Sequence, residues 1–353
     1  MTKKRFLLAG DVGGTKTYLG LFEINPPSPP FKKRGLNPFK GNRLRELKAD
    51  RFVNADYRSI GGVVASFLAD TGRVMEICAA VMGVACPVEG NRGRLTNIAW
   101  RVDGRALGKR FGIKKFELVN DLVALGYGAE QLYGNDILTL RKGRPEHGNA
   151  ALIAAGTGLG EAILFRSNDG TLVPSASEGG HADFAPQSDV EMELLGYLAE
   201  KYGHVSYERV VSGPGLHDVY RFFRARSGGR ESKRLTQRFE IEKDGAAVIF
   251  DEAVRRIDGN CVKAFKLFIS VYGAEAGNLA LKSMATGGVY LGGGIAPKVF
   301  ADKEAVSIFL SAFGAKGRFK KLLDAIPVYV IQNEKAALRG AAFHAYNLVK
   351  GQP

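Results

Sequence analysis

Cysteine is scarce in this chain: 353 residues carry three, Cys78, Cys86 and Cys261, far apart in sequence. An odd, scattered set excludes a disulfide scaffold and any C-x-x-C metal motif, and it suits a reducing compartment. Histidine is equally sparse, at five residues, and zinc would need more closely grouped ligands than these. Long apolar runs are missing too. No stretch approaches the roughly 18 apolar residues of a membrane span. The N-terminal run Phe6–Ala9 meets Asp11 almost at once, too short for a signal-peptide core. The expectation is a soluble, cytoplasmic protein.

What the chain does have is an ordinary globular composition, 45% hydrophobic and 24% charged. The length favours two domains or one large one, able to bury a core without cross-links. The charge balance is basic, 50 Lys+Arg against 36 Asp+Glu, a formal +14. That raises nucleic acid or a membrane surface as a partner. The excess is local. One cluster, Lys32, Lys33, Arg34, Lys40, Arg43, Arg45, Lys48 and Arg51, follows the proline-rich Asn25-Pro-Pro-Ser-Pro-Pro30. This stretch, residues 25–50, reads as a basic surface insertion. A second cluster lies between Arg221 and Arg238. Neither is interleaved with stacking aromatics, so solvated faces are expected rather than a nucleic-acid site.

The hydrophobic pattern alternates strands with helices. Lys4–Val12 and Thr17–Ile24 read as strands joined by a Gly13–Lys16 turn, a hairpin. Ile60, Val63, Val64, Phe67 and Leu68 share one helical face. Strands are expected at Ala79–Ala85 and Phe116–Val119, and a helix beginning near Leu122. A second block, Ala150–Gly156, Thr157–Gly160 and Glu161–Phe165, repeats strand, glycine turn and strand. Helical patterns follow at 191–202, 216–224 and 261–281, then a strand at 327–331 and a helix at 335–349. Two copies of one α/β unit account for this order, with ligands at strand ends.

Gly10-Asp-Val-Gly-Gly-Thr-Lys-Thr17 misses the P-loop pattern at Thr15, and the strand that follows argues against one. The alternatives are a tight turn or a phosphate-binding hairpin. Gly13 and Gly14 permit positive φ, which would aim backbone N–H groups at phosphate oxygens. Thr15 adds a hydroxyl, and Asp11 can reach a hydrated Mg²⁺ through water. Gly156-Thr-Gly-Leu-Gly160 and Gly292-Gly-Gly294 are further glycine turns, each structural or ligand-facing. Asn120-Asp121 stands where a helix cap would. Glu178, His181 and Glu208 add carboxylates and an imidazole, which suit the hydroxyls of a neutral polyol and would repel an acidic substrate.

Seven segments resemble the bacterial ATP-dependent glucokinase family of the hexokinase and actin-like ATPase superfamily. They are Gly10-Asp-Val-Gly-Gly-Thr15, Gly83-Val-Ala-Cys-Pro-Val88, Leu118-Val-Asn-Asp121, Gly156-Thr-Gly-Leu-Gly160, Glu178-Gly-Gly-His-Ala-Asp-Phe-Ala-Pro186, Glu208-Arg-Val-Val-Ser-Gly-Pro-Gly215 and Gly292-Gly-Gly-Ile-Ala-Pro297. The resemblance implies a two-lobed actin-like ATPase fold, a duplicated ribonuclease-H-like α/β unit with a cleft between lobes. The small lobe would be 1–131 plus 334–353 and the large lobe 132–333. It implies glucose held by Asn120, Asp121, Glu178, His181 and Glu208, with Asp121 as base. ATP would meet Gly10, Asp11, Val12, Gly13, Gly14 and Thr15, and Gly156, Thr157, Gly292, Gly293 and Gly294, with Mg²⁺ and no direct protein ligand assigned to it. A homodimer is implied as well. The departures from the family pattern are the insertion, Lys16, and Glu161, where a small or apolar residue is expected. The zinc motif of the related repressor–kinase enzymes is absent, as is an N-terminal helix-turn-helix. A kinase for fructose or mannose is the alternative, or a non-enzymatic sugar-responsive regulator of nucleic acid; Asp121, which a pure binder would not need, favours an enzyme.

Overall fold

The computed structural model describes residues 4–25, 44–69, 76–95 and 98–350. In chain order the first stretch contains β1 (Arg5–Val12), β2 (Lys16–Ile24), β3 (Leu44–Val53), α1 (Ile60–Ala69), β4 (Ile77–Val84), β5 (Val88–Glu89), β6 (Arg92–Arg94), β7 (Arg101–Asp103), α2 (Gly104–Phe111), β8 (Phe116–Asn120) and α3 (Asp121–Ala129). Then come β9 (Ile137–Arg141), β10 (Ala150–Ala155), β11 (Leu159–Arg166), β12 (Leu172–Ser177), α4 (Asp189–Tyr202), α5 (Gly213–Arg226), α6 (Lys233–Ile241), α7 (Gly245–Val254) and α8 (Gly259–Ser283). The chain ends with β13 (Gly288–Gly292), α9 (Ala296–Val299), α10 (Lys303–Gly314), α11 (Lys320–Ala325), β14 (Val328–Ile331) and α12 (Ala336–Val349).

Two compact units result. The first comprises Met1–Ile137, Leu164–Ala176 and Asn333–Pro353, the second Leu138–Ile163 and Ser177–Gln332. The short stretch Leu164–Ala176 sits with the first because Leu164 and Pro174 pack onto Gly126 of α3, where a Cβ would lie 2.7 and 2.8 Å from them.

In the first unit the sheet order is β3-β2-β1-β4-β8. β1, β2 and β3 are antiparallel neighbours, whereas β1, β4 and β8 run parallel. Successive side chains of β1 face opposite ways. Leu8 and Val12 join a core with Val63, Val64 and Phe67 of α1 and Leu107 of α2. Leu7 and Ala9 join another with Leu338, Ala341 and Ala345 of α12. A sheet covered on both faces explains why β1 and β4 read as continuous apolar runs. The segment expected as a surface insertion needs correction at its end: residues 44–50 belong to β3, paired from Ile24↔Leu44 to Lys16↔Val53. Leu44 is buried there, and the basic residues that suggested a loop belong to an edge strand, where Arg45 pairs with Glu23 and Lys48 lies over the Phe67 ring. Residues 26–43 lie outside the described residues.

The other large sheet runs β12-β11-β10-β13-β14-β9, and β10, β13 and β14 are parallel. From β12 to β14 this order reproduces β3-β2-β1-β4-β8, the duplication expected from the two glycine hairpins. The 25-residue α8 anchors the second unit. Its Phe268, Tyr272 and Ala276 are fully buried in the same core as Ile153 and Leu291. Among the described residues no helix is long and apolar enough to cross a membrane.

Candidate active site

Five of the seven motif segments stand at the C-terminal ends of the parallel strands: after β1, β4, β8, β10 and β13. In open α/β sheets that edge is where ligands bind.

In the first unit, Gly10 and Asp11 lie beside Met82 and Gly83 of β4. A Cβ at Gly10 would fall 2.1 Å from Met82 Sδ, and one at Gly83 would fall 2.7 Å from Ala124 Cβ. These small residues let α3 enter close to the sheet, so that Asp121 is brought next to Asp11. Asn120 is the residue that caps α3. Its Oδ1 accepts from the Leu122 N–H at 2.9 Å, and its Nδ2 donates to the Cys86 carbonyl at 3.4 Å. Asp121 opens the helix, its Oδ1 2.9 Å from the same Leu122 N–H. Burial, and then the negative charge of Asp121, raise the Asp11 carboxyl to about 7, with Lys16 opposing.

The turn after β1 differs from the expected one. Neither Gly13 nor Gly14 takes a positive φ, and the Gly13 N–H is spent on the Lys16 carbonyl at 3.0 Å. The turn is fixed instead by Asn54, a buried residue just past β3. Its Nδ2 donates to the Gly13 carbonyl at 2.8 Å, its N–H to the Thr15 carbonyl at 3.0 Å, and its Oδ1 accepts from Thr17 Oγ1 at 2.7 Å. Nothing in the sequence marked Asn54, because the partner strand that delivers it lies beyond the proline-rich segment.

The second unit gathers Glu178, His181 and Glu208. His181 Nδ1 is 3.7 Å from Glu178 Oε2, and its Nε2 is 3.7 Å from Glu208 Oε1. Glu178 and His181 are well exposed, whereas Glu208 is three-quarters covered. The other Glu208 oxygen accepts from the Leu159 N–H at 2.9 Å. A Cβ at Gly158 would lie 2.5 Å from that oxygen, so any larger residue there would displace the Glu208 carboxylate. The Gly156 carbonyl accepts from the Gly213 N–H at 2.8 Å, so the 156–160 turn and the 208–215 segment are stitched together. Gly293 has φ +80°, and a Cβ there would meet the Ala155 carbonyl at 2.2 Å. The triple-glycine turn is therefore packed against the end of β10, next to Gly156 and Thr157. Three segments far apart in sequence share one edge of one sheet.

The glucokinase family model matches residues 8–348. A glucokinase of Nostoc sp. is 39% identical over 356 residues, covering 97% of this chain and 99% of that one. The chain belongs to the glucokinase family. The structure of a glucokinase from an Antarctic psychrotroph superposes with a TM-score of 0.81 at 28% identity, over 97% of this chain and 99% of that one. A Balamuthia mandrillaris glucokinase, solved in complex with glucose, has the same fold at TM-score 0.71 and 21% identity, over 98% and 94%. The architecture is thus the two-lobed actin-like ATPase fold of this family. Within that frame Glu161 stands out: it is 1% exposed, directly after the 156–160 turn, which keeps its closure from Gly156 N–H to Gly158 carbonyl at 2.8 Å.

Proposed function

We propose that this chain transfers the γ-phosphoryl group of MgATP to the 6-hydroxyl of glucose. Asn120, Asp121, Glu178, His181 and Glu208 are the glucose ligands in this reading. Carboxylates accept from sugar hydroxyls in fixed directions, and the Asn120 amide can accept or donate. Asp121 takes the hydroxyl proton as the oxygen attacks phosphorus, a step typically worth ~10²–10⁴ in rate. Gly10–Thr15, Gly156–Thr157 and Gly292–Gly294 address ATP. With the Gly13 amide engaged, phosphate contacts at the first turn fall to Gly14 and Thr15.

The donor set suits Mg²⁺. Asp11 and Asp121 are close enough for one to raise the other, and two hard oxygen donors beside a phosphate turn favour a hydrated Mg²⁺ over softer ions. Asp11 would hold that ion through water, and the ion would offset phosphate charge. From family resemblance we also propose a homodimer and a cytoplasmic location.

The observation that carries this reading is Asp121 at the head of α3, with Asp11 and the 13–15 turn in the same unit. Asp121→Asn keeps the shape and cannot take the proton. We expect kcat to fall by roughly 10²–10⁴ while calorimetry still detects glucose binding. A coupled assay with glucose, fructose and mannose against ATP, ADP and polyphosphate fixes substrate and donor. Near wild-type kcat in Asp121→Asn would sink the mechanism.

A further inference from the structure

Beneath the turns that carry Glu178, His181 and Glu208 lies a buried polar cluster that the proposed reaction does not use. Glu161 of β11 is 1% exposed and Glu275 of α8 is 0% exposed, and their side chains are hydrogen-bonded to each other. Two carboxyl groups in that contact share one proton, because two adjacent charges in a dry site repel. The surroundings decide which keeps it. Lys282 Nζ lies 3.5 Å from Glu275 Oε1, and Asn278 Nδ2 donates to Glu275 Oε2 at 2.8 Å. Lys316 Nζ, bonded to the Ala274 carbonyl and to Asn278 Oδ1, adds a second positive charge near Glu275. The positive charges and the Asn278 donor thus gather at Glu275, which leaves the shared proton to Glu161. Burial first, and then Glu275, push Glu161 up to about 8, with Lys282 opposing. Glu161 Oε1 and Glu275 Oε1 are both buried with no other hydrogen-bond partner among the described residues, so a proton held between the two carboxyls is the bond open to them.

Both sugar-facing turns rest on this pair. The backbone of Gly179 sits on Glu161, so close that a Cβ would be 2.1 Å from Oε2; Glu178 and His181 flank that contact. The Tyr207 hydroxyl is hydrogen-bonded to Glu275 and accepts from Asn278 Nδ2 at 3.0 Å. Tyr207 is next to Glu208, and its N–H donates to the Ala182 carbonyl at 3.0 Å. Tyr272 is the remaining titratable group that feels Glu161.

We propose that Glu161 is a positioning residue for the sugar site: as a carboxylic acid it bonds the Glu275 carboxylate and holds the turns that present Glu178, His181 and Glu208. This rests on those three residues being the glucose ligands. Ionising Glu161 places two negative charges together and lifts Gly179 off its support. The apparent glucose affinity should then follow the protonated fraction and fall about tenfold between about pH 7 and about pH 9.

The test is the glucose KM, ATP KM and kcat across that range, with calorimetric glucose affinity, for wild type, Glu161→Gln and Glu208→Gln. Thermal melting checks that each is folded. The amide introduced by Glu161→Gln mimics the neutral acid and donates to Glu275 without titrating. Glu161→Gln should match wild type within about twofold at about pH 7 and keep its glucose KM at high pH, while the wild-type glucose KM rises and its ATP KM does not. Parallel glucose KM profiles in wild type and Glu161→Gln, or a flat wild-type profile, overturn the assignment. Glu208→Gln separates the two readings. If it binds glucose as tightly as wild type, the sugar site itself is misplaced and both readings fall. If it weakens binding while Glu161→Gln tracks wild type, the role of Glu161 alone is wrong.

Discussion

Asp11 and Asp121 show how one neighbour changes what a residue can do. Asp11 is raised to about 7 by burial and by Asp121, so the folded chain holds a proton there that the unfolded chain has already released. Its contribution to stability is full below about pH 4 and is lost progressively as pH rises to about 7. Asp11→Asn, which cannot ionise, should therefore match wild type in acid and melt at a higher temperature near pH 8. Thermal unfolding in a chelator, across this range, checks the sign; equal melting temperatures at pH 8 would contradict it. Glu178 and Glu208 belong to a different class. As the proposed glucose ligands they would hold hydroxyls before and during the transfer, so Gln at either should raise the glucose KM more than it lowers kcat. Steady-state kinetics on the two variants, beside Asp121→Asn, separates binding from proton transfer.

At the scale of elements, the tightest contact in the first unit is the crossing of α3 and α12. A Cβ at Gly340 would lie 1.8 Å from the Ala124 carbonyl, and one at Gly128 would lie 2.1 Å from the Ala336 carbonyl. Neither neighbour is a side chain that can swing away. Gly340→Ala should cost at least ~1–3 kcal/mol of stability through overpacking, readable by denaturant unfolding. The hairpin of β2 and β3 tolerates change of another kind. Ile24 and Leu44 are paired, so their ends are already close, and replacing residues 26–43 by a short turn should leave glucose phosphorylation largely intact. A tenfold fall in kcat/KM in the folded variant would show otherwise. The cut must stop before Leu44, which is buried, and Glu46, which pairs with Lys335 at 2.7 Å. How legible these elements were follows from their length and burial. β1, β4 and β10 are continuous apolar runs of strand length and α8 is a long apolar helix, and those runs named them. The small sheet of β5, β6 and β7 went unread because its strands are two or three residues long and rich in arginine and glycine. In the site, the glycine turns and the exposed acids were legible as local motifs. Asn54 and Glu275 were not, because what defines each is a partner brought from a distant strand or helix.

For the whole molecule, the formal charge of +14 raises the question of an affinity for polyanions. The second basic cluster is matched by acids: Arg224 with Glu231 at 2.9 Å, Arg226 with Glu193 at 2.9 Å, and Arg238 with Asp251 at 2.7 Å. Arg234 pairs with the buried Glu252. Retention on heparin or DNA should accordingly vanish near about 0.15 M salt, where screening reaches about 8 Å; tight DNA binding at that salt would revive the regulator reading. Activity should require Mg²⁺ and ignore a zinc-selective chelator, since the donors near the phosphate turn are the carboxylate oxygens of Asp11 and Asp121, which suit a hard ion. Zinc restoring activity that magnesium cannot would refute this. The pairing of α12 with β1 also has a consequence for how the protein is made. The core that buries Leu7, Ala9 and Val81 is completed by Leu338, Ala341, Ala342 and Ala345, so β1 waits for α12. One face of the sheet built on β1 and β4 therefore stays uncovered while the whole of the second unit, up to Gln332, is being synthesised. Apolar surface exposed for that long invites aggregation and chaperone capture, and a stop codon ahead of α12 would leave it uncovered for good.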